Sequence, residues 1–146
     1  KRIKYKMIIK FFNKKEQSNK DSDLINVACL MIHAARIDEN YTDKEKKIIR
    51  KTLKKLNDSN EDLDKLILQA EKKEADSNHI QDFTKNIKMM DKKTKIEILK
   101  NIWNIMVSDG TSDMYEENLM RRLAGLLYVD TKTIGEIKLN LQNEKE

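Results

Sequence analysis

Apolar residues recur every three to four positions along most of this chain, the spacing that places them on one face of an α-helix. The pattern covers seven stretches, at about residues 22–36, 43–57, 60–75, 79–90, 92–108, 114–127 and 131–142. The first stretch is apolar on nearly every side, which is typical of a helix at the centre of a bundle. We therefore predict an all-α fold, a compact bundle of about seven helices with short connections.

Two pairs of these helices, each with the loop that joins them, share one sequence pattern at positions 71 residues apart. Three polar positions recur in step: Asp38 with Asp109, Thr42 with Asp113, and Glu45 with Glu116. Apolar positions on both sides of each loop also correspond, as Ile32 does to Trp103. Self-similarity of this kind predicts an internal pseudo-repeat of two helix–acidic loop–helix units.

The composition favours helices, and the excess positive charge is concentrated in the first 20 residues. The 146 residues include no proline and three glycines, so few residues interrupt helix formation. The net charge of +5 is uneven, because residues 1–20 carry eight basic residues and one acidic residue, which leaves a net of −2 on the rest. A mildly acidic body argues against a nucleic-acid-binding domain, which would carry a basic face on its folded part.

Residues 1–22 are predicted to be a basic N-terminal segment and linker before a helical domain at 23–146. The segment combines basic and apolar residues at helical spacing: Lys4, Lys6, Met7, Ile8, Lys10, Phe11 and Phe12. A helix of this type would bind an anionic membrane surface or a partner protein, and a frayed terminus is the alternative. Without a long apolar run or a convincing secretory signal, we expect a cytoplasmic protein, peripheral to the inner face of the membrane if the segment binds there.

The second unit resembles the second half of TerB-like proteins, which are named for tellurite resistance. The resemblance lies in Trp103, Asp109–Gly110, Glu116, the run 120–124 and the run 126–129, while Glu39 replaces the glycine in the first unit. It covers about residues 23–142 and implies an all-α domain without demonstrated catalysis. It further implies a role in stress or tellurite resistance, an acidic surface discussed as metal-binding, and kinship with the N-terminal domain of a membrane-anchored J-protein co-chaperone.

The acidic loops have two interpretations. In the first, Ca²⁺ or another divalent cation is bound by carboxylates of both loops: Asp38, Glu45, Asp109, Asp113 and Glu116. In the second, Thr42 with Glu45 and Asp113 with Glu116 form capping boxes, in which each glutamate accepts a hydrogen bond from a backbone N–H. Only Asp38 and Asp109 then lack a local role, and an Asx-turn would give them one.

No residue is predicted to be catalytic. Cys29 lies in an apolar run and is expected to be a buried, inert thiol, and His33 is expected to be a hydrogen-bonded core histidine of the first helix. The sequence thus favours a non-enzymatic module that binds a protein partner, regulated by a divalent cation at the acidic loops. The alternatives are a metal-dependent hydrolase using the same loops, and a membrane-surface or nucleic-acid adaptor acting through the basic N-terminus.

Overall fold

The computed structural model describes residues 23–37, 41–56, 62–107 and 114–145, and these residues are helical apart from short turns. The helices are α1 (residues 23–37), α2 (Asp43–Leu56), α3 (Leu63–Asp76), α4 (Gln81–Ile87), α5 (Lys92–Met106), α6 (Met114–Leu126) and α7 (Thr131–Lys145). The predicted all-α bundle of about seven helices is confirmed. None of these helices is long and apolar enough to cross a membrane. The predicted N-terminal segment, with its seven candidate binding residues, lies outside the described residues.

The core is built around α1, which has almost no exposed face. Nine of its apolar residues are buried, and even Asn26 is only 1% exposed. α5 contributes the second large set of buried side chains and packs against α2, α6 and α7. Trp103 of α5 lies in this core, as its apolar counterpart in the first unit predicts. Burial of this extent is the main favourable term in the stability of the fold.

Aspartates mark where three of the helices begin. The side chains of Asp62, Asp91 and Asp130 each accept a hydrogen bond from a backbone N–H in the first turn of α3, α5 and α7, respectively. The pKa of Asp91 and of Asp130 lies below the usual value, because the side chain of Thr94 or Thr133, respectively, hydrogen-bonds to the ionised carboxylate. The backbone N–H of the same threonine contributes the second stabilising bond. The cap at Asp91 also explains why α4 ends at Ile87, earlier than predicted, because the intervening residues form the turn that leads into α5.

The turn after α6 is a Schellman motif with tyrosine in the position that glycine usually occupies. The N–H of Val129 donates to the carbonyl of Ala124 at 2.8 Å, and the N–H of Tyr128 donates to that of Gly125 at 3.3 Å. Tyr128 has a φ of 58°, in the left-handed region. The ammonium group of buried Lys95 donates hydrogen bonds to the carbonyl of Leu127 in this turn and to that of Lys88 after α4. Lys95 thereby links the two turns.

Replacing Tyr128 tests the left-handed conformation. The Tyr128→Gly variant should have a free energy of unfolding about 1 kcal/mol larger than that of Tyr128→Ala, because only glycine adopts this conformation without steric cost. Both variants lose the same aromatic ring, so their comparison isolates the backbone effect. Urea denaturation provides the measurement, and equal stabilities would contradict the conformation described.

Candidate functional site

The first acidic loop is held at both ends by α3. Before the loop, Nη1 of Arg36 lies 2.6 Å from Oε2 of Glu74, an ion pair rather than a well-aligned hydrogen bond. After the loop, the hydroxyl of Tyr41 donates to Oε1 of Glu71 at 2.9 Å. The guanidinium of Arg36 also lies 5.6 Å from the centre of the Tyr41 ring. These contacts fix the two ends of residues 38–40 relative to α3.

Glu74 is the charged group on which this arrangement depends. Its side chain is only 8% exposed, and a carboxylate so buried is stable only when it is paired. The pairing comes from Arg36 and from Nδ1 of His33, which lies 3.2 Å from Oε1. His33 is therefore hydrogen-bonded as predicted, but the prediction of a core position is wrong, because 32% of its side chain is exposed. Since Arg36 pairs with Glu74 and the ring of His33 lies within hydrogen-bond distance of it, we assign Glu74 a structural role.

The capping interpretation of Glu45 is supported by its contacts. The N–H of Thr42 donates to Oε2 of Glu45 at 3.0 Å, and the Thr42 hydroxyl bonds to the same oxygen. Glu116 occupies the matching third position of α6, and both glutamates are 3% exposed. α6 also begins 71 residues after α2, as the repeat predicts. Superposition of the two units in space stays a prediction.

The remaining predicted ligands are not placed by the structure. Asp38, Asp109 and Asp113 lie outside the described residues, as does Gly110. Among the residues that are described, no three His, Cys, Asp or Glu side chains form a group that could hold a metal ion. Of the five predicted ligands, the structure therefore locates Glu45 and Glu116 alone, and the cation site stays a prediction.

Cys29 is buried, as predicted, and its environment favours the protonated thiol. The side chain is fully inaccessible, with Sγ 3.4 Å from the carbonyl oxygen of Ala70 in α3. Burial raises the pKa of Cys29 to about 11. Because the thiolate is the reactive form, a thiol with this pKa is inert at neutral pH.

An open groove of about 480 Å³ runs between α2 and α3. Its apolar surface comes from Ile67 and from Leu68, which is 65% exposed. Its charged lining residues are Lys46, Lys47 and Arg50 from the basic side of α2, with Asp43, Asp64 and Glu71 as the acidic members. Arg50 forms an ion pair with Asp64 across the groove. Positive and negative charges are thus balanced around an exposed apolar side chain.

The groove includes a feature that the sequence reasoning missed, the strong charge of α2. Its 14 residues include seven basic and two acidic side chains, a net charge of +5. Averaging charge over everything after residue 20 concealed this helix within a mildly acidic total. A count made helix by helix would have identified it.

The comparisons with known proteins agree with the fold. The family model described as Tellurite resistance protein TerB matches residues 24–139, which confirms the resemblance to TerB-like proteins. No curated protein and no solved structure matches the chain.

The ionisation of Cys29 should appear in the pH dependence of stability. As pH rises from 9 towards 11, the thiol ionises first in the unfolded chain, so the folded state loses up to about 2 kcal/mol. Urea denaturation across this window should therefore show a smaller loss for Cys29→Ala than for the unmodified protein. Parallel curves would show that the thiol is not shielded as described.

Proposed function

This chain belongs to the tellurite resistance protein TerB family, and from that premise we propose that it is a non-catalytic module that binds a helical segment of a partner protein in the α2–α3 groove. The observation that carries the proposal is Leu68, a large apolar side chain left 65% exposed between oppositely charged groups. Such side chains are typical anchor points at protein interfaces when a polar rim surrounds them.

The lining of the groove suits an amphipathic helix, because apolar and charged side chains alternate around it. The helix would place apolar side chains on Ile67 and Leu68, as helix-in-groove complexes do. Acidic residues on one flank would face Lys46 and Lys47, and basic residues on the other would face Glu71. Complementary charges of this kind set the orientation of a bound partner.

The charged contacts in the groove support docking rather than catalysis. Arg50 is engaged by Asp64, and Glu71 accepts a hydrogen bond from Tyr41. Groups engaged in this way define the shape and charge of a surface. A hydrolase would instead need a metal ion with open coordination positions and a nearby general base. We therefore retain a non-enzymatic function as part of the proposal.

Regulation by a divalent cation is the second part of the proposal. Capping contacts with Thr42 account for the burial of Glu45, so this part of the proposal depends on the other loop carboxylates, above all Asp38 and Asp109. The residues that follow the first loop also contact the groove, because Asp43 lines the groove and Tyr41 donates a hydrogen bond to the groove residue Glu71. A cation bound by the loop would act on α2 and α3 through these two residues.

A change at Leu68 should weaken partner binding. Leu68→Asp should raise the Kd for the partner at least about tenfold, because a charged group would replace the apolar anchor. Leu139→Asp is the matched control, since Leu139 is a similarly exposed leucine on α7. The partner would be identified by photo-crosslinking in cells from position 68, purified, and titrated with each variant. Equal effects of the two substitutions would contradict the groove as the docking surface.

Cation binding should be visible as thermal stabilisation. The chelator-treated protein should show a higher Tm at millimolar Ca²⁺, because a ligand that binds only the folded state stabilises it. The double substitution Asp38→Asn with Asp109→Asn should abolish the increase, whereas Asp82→Asn, which changes an aspartate of α4 that belongs to neither loop, should preserve it. Calorimetric titration with calcium, magnesium and zinc would identify the preferred ion. An unmodified protein whose Tm does not respond would end the cation hypothesis.

A further inference from the structure

Two neighbouring turns, where α4 and α6 end and α5 and α7 begin, carry strongly exposed apolar side chains. Met89, in the turn between α4 and α5, is 80% exposed, and Tyr128, in the turn between α6 and α7, is 73% exposed. The two turns lie side by side, because Lys95 donates hydrogen bonds to backbone carbonyls of both. The ammonium group of Lys88 also lies 5.9 Å from the centre of the Tyr128 ring. Both apolar side chains therefore belong to one surface.

Packing within the chain does not explain why Tyr128 occupies its position. Its φ of 58° lies in the left-handed region, which glycine adopts at a lower steric cost. Burial of the ring would offset that cost, but most of the ring is in water. Its contact with Lys88 is near the outer limit of about 6 Å for a cation–π interaction. An aromatic side chain held exposed on a strained backbone points to a ligand outside the chain.

Lysines surround these two side chains without close acidic partners. Lys92 and Lys93 begin α5, and Lys132 lies in the first turn of α7. Within the part of the chain that the structure describes, none of these three lysines forms a salt bridge. Their ammonium groups are therefore available to a ligand. We call Lys88, Met89, Lys92, Lys93, Tyr128 and Lys132 together the turn surface.

The two aspartates of these turns reduce the positive charge but do not cancel it. Asp91 and Asp130 each accept a hydrogen bond from a backbone N–H in the first turn of the following helix, so each carboxylate is directed at its own helix. Lys92 and Lys132 interact electrostatically with Asp130, which also places these two lysines on the same side of the bundle. Residues 88–93 and 128–132 contain four lysines and two aspartates. Positive charge thus remains in excess around the exposed apolar side chains.

We propose that the turn surface binds the headgroup region of a bilayer that contains anionic lipids. The choice of ligand follows from charge complementarity, because lysines near a membrane are attracted by anionic headgroups and reach them with long side chains. A tyrosine ring is favoured at the boundary between water and lipid, since its body is apolar and its hydroxyl is polar. Met89 would enter the same boundary. Side chains that project from turns need no preformed pocket in a bilayer.

A fluorescent label at single positions tests which surface meets the bilayer. The Met89→Cys variant would carry the dye NBD on the introduced thiol, because buried Cys29 is inert. Vesicles of phosphatidylglycerol should shift the NBD emission to the blue as the dye leaves water, and vesicles of phosphatidylcholine alone should not. Met114→Cys is the matched control, since Met114 is similarly exposed on α6, and its emission should not shift. No shift at position 89, or equal shifts at both positions, would overturn the proposal, whatever residues 1–22 contribute to binding.

Substitution of the apolar side chains tests their contribution to affinity. In vesicle sedimentation with the full chain, Met89→Ser with Tyr128→Ser should lower the partition coefficient at least about tenfold, because two apolar groups no longer leave water. Met114→Ser with Tyr115→Ser is the matched control, since it removes the same two side-chain types from another exposed site. The control should change the coefficient less than about twofold. Equal losses in the two double variants would contradict the assignment.

Substitution of the lysines tests the electrostatic part. Lys92→Gln with Lys132→Gln should lower the partition coefficient roughly tenfold, and the loss should shrink at high salt. Lys65→Gln with Lys72→Gln, a change of two exposed lysines on α3, should have an effect of less than about twofold. Equal effects would indicate diffuse attraction and overturn the proposal. So would a protein partner crosslinked from position 128 combined with the absence of any response to vesicles.

Discussion

The burial of α1 on nearly all sides is the constraint that determines the rest of this structure. A helix with almost no exposed face must find partners within the protein for each of its polar groups. α3 supplies them: Lys73 donates to Asn26 at 2.6 Å, and Glu74 pairs with Arg36. These contacts fix α3 along one side of α1, and α3 in turn holds the first acidic loop and forms one wall of the groove. The candidate surfaces thus depend on contacts that are themselves structural.

α2 separates the α2–α3 groove from a smaller pocket that lies against α5. It packs against α3 on one side and α5 on the other, and its basic residues project towards both. On the α3 side, an ion pair to Asp64 and equal numbers of acidic and basic residues make a surface suited to another protein. On the α5 side, Lys55 lies 3.7 Å from Glu97, so a basic residue of α2 also pairs with a carboxylate there.

Local features of this fold could be read from the sequence, and features that depend on distant residues could not. Thr42 and Glu45 are three residues apart, so their capping contact follows from spacing. The helices could be predicted for the same reason, because the spacing of apolar residues is also a relation between near neighbours in the sequence. Burial of Glu74 and Lys95 depends on partners 38 and 32 residues away, respectively, in Arg36 and Leu127. The smaller pocket against α5 likewise requires α2, α5 and α7 to meet, and no spacing within one helix encodes that meeting.

The charge of α2 is costly to the helix, and this cost bears on function. Its basic residues form two rows at four-residue spacing, Lys46–Arg50–Lys54 and Lys47–Lys51–Lys55. Each like-charged pair destabilises a helix by about 0.2–0.5 kcal/mol, so the four pairs together cost roughly 1–2 kcal/mol. Burial of Ile49 and Leu53, worth about 1.5–3 kcal/mol each, offsets that cost. This burial does not depend on the positive charge of the other positions. Contacts with neighbouring helices offset the cost further, since Arg50 pairs with Asp64 of α3 and Lys55 lies 3.7 Å from Glu97 of α5. The fold therefore accounts for part of this charge. Lys46 and Lys47 line the groove, where the proposed partner would supply acidic residues.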